Sequence, residues 1–134
     1  MAHRVLYYML DGDTSRGQAA LDQMGMADEV ELVSCPHAVF APPTADQLAG
    51  CEGFIGEFGP VPAATAEAMA VAGIRVVASM SIGINHMDVA ALRARGIAVA
   101  NCPGYCAEDV AAHTIALMLD LMRQITFLNR GVIG

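Results

Sequence analysis

The stretch RVVASMSIGINHMDVAALRARGIAVA, residues 75–100, compresses a strand, a loop, a short helix and a second strand into one run. Arg75 to Ala78 is apolar and valine-rich, which suits a strand buried on both faces. Asp88 stands where a helix N-cap belongs, because its short carboxylate accepts from the free amides of the first turn. Val89 to Ala94 then predicts a helix, and Gly96 predicts its end, since glycine takes the left-handed conformation that closes helices. Ile97 to Ala100 follows as the next strand. A unit this tight joins two parallel strands through a right-handed crossover.

The same alternation extends toward the N-terminus. Val5 to Leu10 predicts a strand ended by Asp11-Gly12-Asp13, and Thr14-Ser15 predicts the cap of a helix from about Arg16 to Met26. Val30 to Val33 and Phe54-Ile55 predict two more strands, with Pro42-Pro43, Gly50 and Gly53 marking the turns between them. Pro62 opens a helix over Ala63 to Ala72 that Gly73 stops. Beyond residue 100 one long helix is predicted from Ala107 to Asn129. The expected fold class is therefore α/β, a flavodoxin-like doubly wound parallel sheet of about five strands ending in a long helix. Residues 1–106 read as the sheet domain, and 107–134 as the helix and a connector.

Composition narrows the function classes. A hydrophobic share of 55%, a charged share of 16% and thirteen glycines in 134 residues describe a globular chain. The net charge of −7, with its few basic residues scattered, predicts no nucleic-acid partner and no membrane-surface partner. The most apolar run, Ile115 to Met122, contains Asp120 and is far shorter than a membrane span, and Tyr7 to Leu10 is too short for a signal-peptide core. Cys35, Cys51, Cys102 and Cys106 form no Cys-x-x-Cys pair, so reduced thiols and a cytoplasmic location are expected. Asp11-Gly12-Asp13-Thr14-Ser15-Arg16 begins like a calcium loop, but Arg16 occupies the obligatory glycine position, so no metal site is expected.

Two loops carry candidate chemistry, since ligands of parallel α/β sheets bind beyond the carboxyl ends of the strands. Ser79 to Asp88 is small and polar, and Gly83 allows a ligand close to consecutive backbone amides, which suits an anion such as a carboxylate. Asn101 heads the second loop, where its amide can orient the anion loop, touch a ligand or merely tie its own turn. Glu108 and Asp109 complement the positive end of the long helix.

The segment SMSIGINHMDVAALRARGIAVANCPGYCAEDVAAHTIALMLDLMRQI, residues 79–125, resembles the D-isomer-specific 2-hydroxyacid dehydrogenases, the family of D-lactate, glycerate, phosphoglycerate and formate dehydrogenases. The resemblance implies that the backbone amides of Ile82 and Gly83 bind the substrate carboxylate, that Asn101 lies near the substrate, and that Val110 lies against the nicotinamide end of the cofactor cleft. It also implies a partner molecule, a small 2-keto or 2-hydroxy acid, and NAD or NADP as cofactor of the full-length parent. The family's Gly-x-Gly-x-x-Gly turn and its catalytic Arg, Glu and His are not found in this sequence, so the dinucleotide-binding domain is expected to be absent, the chain truncated, inert alone and without tight cofactor binding. No catalytic residue is assigned.

Three positions depart from the family pattern: Ala112 replaces an acidic residue, Asn85 a common aspartate, and Cys106 a capping serine. The alternative reading is a stand-alone flavodoxin-like module that binds small carboxylates or signals. The long helix is apolar almost all round, which predicts a homo-oligomer, a dimer, formed through it.

Overall fold

The computed structural model describes residues 1–133, which form two compact units, one through Pro103 and one from Gly104 on. The first holds five strands, β1 (His3–Met9), β2 (Val30–Pro36), β3 (Gly53–Gly56), β4 (Val76–Ser79) and β5 (Ala98–Ala100). Between them run α1 (Ser15–Met24), α2 (Ala45–Leu48), α3 (Ala63–Ala72) and α4 (Val89–Ala94). All strand pairs are parallel, in the order β2-β1-β3-β4-β5 expected of a flavodoxin-like sheet.

β1 lies between β2 and β3, with Val5 opposite Leu32 on one side and Gly53 on the other. Leu6, Tyr7, Tyr8 and Met9 are consecutively buried, the pattern of a strand covered on both faces. Strand side chains alternate, so Leu6, Tyr8, Phe54 and Val77 point to one face, where they form the main core with Leu48, Ala66, Met69 and Leu92 of the helices α2 to α4. The opposite face presents Val5, Tyr7, Leu32, Ile55 and Ala78, which line an apolar groove of about 360 Å³ together with Gly17, Ala20, Leu21 and Met24 of α1.

Local chemistry explains where the helices begin and end. Asp88 accepts from the Ala91 amide at 2.9 Å and caps α4, as expected. α3 runs from Ala63 to Ala72 behind Pro62 and stops at Gly73, whose φ of 91° is the left-handed conformation. Thr14, by contrast, does not cap α1 with its side chain. The carboxylate of Asp13 takes that place, accepting from both the amide and the hydroxyl of Ser15.

α2 was not foreseen. It is a single turn fixed by a capping box, in which Thr44 Oγ1 accepts from the Gln47 amide and Gln47 Oε1 accepts from the Thr44 amide.

The second unit corrects the expectation of one helix over Ala107 to Asn129. Two helices form instead, α5 (Ala107–Arg123) and α6 (Ile125–Ile133), broken at Gln124, whose φ is 53°. The break has a cause: Asp120 binds the amide and hydroxyl of Thr126, which caps the second helix from within the last turn of the first. Cys106, at the start of α5, makes no side-chain capping bond. Neither helix has a buried residue, and Val110, Ile115, Leu117 and Met118 are all exposed. None of the helices in the described residues is long and apolar enough to cross a membrane.

Gly17 is closely packed. A Cβ there would lie 2.7 Å from Leu32 Cδ1 and 2.9 Å from the Tyr7 ring. A side chain in mid-helix gains at most about 1 kcal/mol of helix propensity over glycine, while overpacking costs about 1–3 kcal/mol. We therefore predict that Gly17→Val destabilises the first unit by roughly 2 kcal/mol, to be read as a lower urea midpoint at unchanged slope; an unchanged midpoint would show that α1 yields freely.

Candidate functional site

Because the strands are parallel, every strand-to-helix loop leaves from one edge of the sheet. Backbone bonds continue past the strands there: the Glu57 amide donates to Tyr8 O at 3.4 Å, Met80 to Gly56 O at 3.0 Å, and Cys102 to Ser81 O at 3.2 Å. The loops after β1, β3, β4 and β5 are thus stitched side by side.

The loop after β4 is fixed from within. The buried Ser79 hydroxyl lies 3.0 Å from the Ser81 hydroxyl and accepts from the Ser81 amide, and Ser81 Oγ donates to Gly83 O at 2.6 Å. From the next loop, Asn101 Nδ2 donates to Ile82 O at 2.7 Å. The carbonyls of residues 81 and 82, which lie across their peptide planes from the Ile82 and Gly83 amides, are therefore held by the Cys102 amide and the Asn101 side chain, while among the described residues those two amides donate to no acceptor. Ile82 is exposed, and a Cβ on Gly83 would meet nothing within 4 Å. Consecutive amides with no acceptor among the described residues, opposite carbonyls that are held, suit a backbone anion site.

The structure brings Ile82, Gly83 and Asn101 together. Val110 belongs to the second unit, in the first turns of α5, where it is exposed. The serine hydroxyls were missed in the sequence, where Ser79 and Ser81 read only as small polar residues. Their spacing of two around a strand end was the available signal, since i and i+2 share a side of extended chain.

His86 lies in the same loop. Its Nε2 is buried without a hydrogen-bond partner among the described residues, and burial holds its pKa below the ordinary 6.5.

A five-stranded parallel sheet in the order β2-β1-β3-β4-β5, with helices between the strands, defines a class: a flavodoxin-like α/β domain. The chain belongs to the D-isomer specific 2-hydroxyacid dehydrogenases, whose catalytic-domain model matches residues 13–129. A 2-hydroxyacid dehydrogenase homolog of Haemophilus influenzae is 42% identical over 59 residues, 44% of this chain and 18% of that protein. The D-lactate dehydrogenase of Streptococcus agalactiae is 27% identical over 95 residues, 68% of this chain and 29% of that one. Among solved structures, the D-lactate dehydrogenase of Aquifex aeolicus, determined with NAD and lactic acid, superposes with a TM-score of 0.71 at 19% identity, covering 96% of this chain and 36% of that one. The chain thus spans well under half the length of these proteins.

His86 sets a pH dependence with a definite sign. Its folded pKa is depressed, so below about 6.5 the unfolded chain takes up a proton that the folded one resists. The stability it contributes is complete above 6.5 and is lost as pH falls through the folded value. We expect the urea midpoint to fall more between pH 7.5 and 5 in the native chain than in His86→Gln; parallel curves would remove His86 as the cause.

Proposed function

We propose that this chain is the carboxylate-gripping part of an NAD(P)-dependent D-2-hydroxyacid dehydrogenase, in which hydride passes between nicotinamide and a small 2-keto or 2-hydroxy acid. The observation that carries the proposal is the pair of unengaged amides at Ile82 and Gly83, whose opposing carbonyls, those of Ser81 and Ile82, are held by the Cys102 amide and the Asn101 side chain. In this reading the amides of Ile82 and Gly83 bind the substrate carboxylate, and Asn101 is a positioning residue that keeps them aimed. Val110 would line the nicotinamide side of the cleft.

The glycine patterns around Gly53-Gly56 and Gly131 do not fit the cofactor's diphosphate. Gly53 and Gly56 lie inside β3, where added Cβ atoms would meet Val5 and Phe54 side chains, and Gly131 lies within α6. None offers an open turn at a helix N-terminus. No chemical step is assigned to this chain; its task is binding and orientation. We further place the protein in the cytoplasm, on its free cysteines, and assign the exposed apolar residues of α5 and α6 to contact with a second copy. Sedimentation as a monomer at high concentration would count against that contact.

The test is an amide-resolved titration of the 134-residue chain with pyruvate. The Ile82 and Gly83 amides should shift, and Asn101→Ala should weaken binding about tenfold, as expected for a lost hydrogen bond that frees the carbonyl behind the site, with the rest of the spectrum unchanged. Pyruvate that leaves both amides unmoved would defeat the assignment. With NADH added, no reduction should occur, and measurable turnover by this chain would overturn its purely binding role.

A further inference from the structure

The hydroxyls of Ser79 and Ser81 form a chain whose direction follows from counting protons. A serine hydroxyl has one proton to donate and can accept at the same oxygen. Ser81 Oγ gives its proton to Gly83 O, 2.6 Å away, since a carbonyl only accepts. The 3.0 Å contact between the two hydroxyls is therefore a donation from Ser79 to Ser81. Ser79 Oγ accepts in turn from the Ser81 amide at 3.3 Å. Ser79 is only 1% exposed, so water does not compete for its hydroxyl, and each bond of the chain polarises the next.

The end of this chain holds a peptide plane. In a trans peptide the carbonyl and the following N–H point to opposite sides, so fixing Gly83 O also aims the Ile84 amide. That amide donates to no acceptor among the described residues. Three successive planes are thus held in the same manner: Ser81 O by the Cys102 amide at 3.2 Å, Ile82 O by Asn101 Nδ2 at 2.7 Å and Gly83 O by Ser81 Oγ. The amides across those planes belong to Ile82, Gly83 and Ile84. The series stops there for a local reason. Ile84 O accepts from the Met87 amide at 3.0 Å, closing a turn whose middle residues are Asn85 and His86, and the middle amides of such a turn are left out of its hydrogen bond.

A carboxylate can use a third donor. Its two oxygens offer about four acceptor positions, and an amide that donates to an ionised group makes a stronger bond than one between neutral groups. Ending β4 does not call for the serine chain, because the Met80 amide already continues the ladder onto Gly56 O at 3.0 Å.

We propose that Ile84 supplies a third backbone donor to the substrate carboxylate, and that Ser79 and Ser81 are positioning residues that turn its amide toward that anion. The proposal rests on the reading of Ile82 and Gly83 as the carboxylate grip.

The test follows the amide resonances of the 134-residue chain during titration with pyruvate and, separately, with its neutral methyl ester. Pyruvate should shift Ile82, Gly83 and Ile84 along one binding curve, and the ester should shift none of them. Ser81→Ala should weaken pyruvate about tenfold, as expected for one lost bond to a charged group, and should silence Ile84 while Ile82 and Gly83 still respond. Ser81→Thr, which keeps the hydroxyl, should restore both the affinity and the Ile84 shift. A merely structural pair of serines would lower stability without singling out Ile84. If Ser81→Ala folds poorly, the native titration decides alone: shifts at Ile82 and Gly83 with Ile84 unmoved would overturn the third donor and leave the grip standing. Silence at all three amides, or equal shifts with the ester, would overturn the grip and the proposal with it. An Ile84 shift and an affinity that both survive Ser81→Ala would overturn the role of the serines.

Discussion

All five strands run in one direction, and the site depends on that constraint. Parallel strands cannot be joined by hairpins, so each must be followed by a crossover, and every loop that leaves a carboxyl end emerges on one edge. Residues from Asp11 to Asn101 meet there although most of the first unit separates them in sequence. The same constraint explains β1, whose side chains from Leu6 to Met9 are all apolar or aromatic because both faces of a central parallel strand are covered.

What could be read from the sequence was local chemistry that a few neighbouring residues decide. Asp88 caps, Val89 to Ala94 coil, and Gly73 stops a helix for reasons contained within a turn of chain. The features that escaped are of two other kinds. α2 is one turn long, too short for periodicity to register, and only its Thr44 and Gln47 pair gives it away. The break at Gln124 depends on Asp120 reaching forward six residues to Thr126, and nothing in the apolar pattern of the segment marks a stop. Glycine or asparagine would have signalled the left-handed residue; glutamine does not.

The candidate site divides in the same way. Gly83 and Asn101 could be nominated from the sequence because their residue types suit a backbone anion loop at a strand end. That Asn101 fastens Ile82 across 19 positions required the adjacency of β4 and β5. The hydroxyl relay from Ser79 through Ser81 to Gly83 needed the exact end of β4, which sequence patterns locate only to within a residue or two.

The corner at Gln124 also limits how the second unit can associate. Two helices supercoil only along an unbroken seam in which apolar positions recur every three or four residues. A left-handed residue between α5 and α6 rotates the chain and interrupts that seam after Arg123. Zipper-like pairing through one continuous seam along both helices therefore does not suit this unit, and α5 and α6 must be covered as two separate faces.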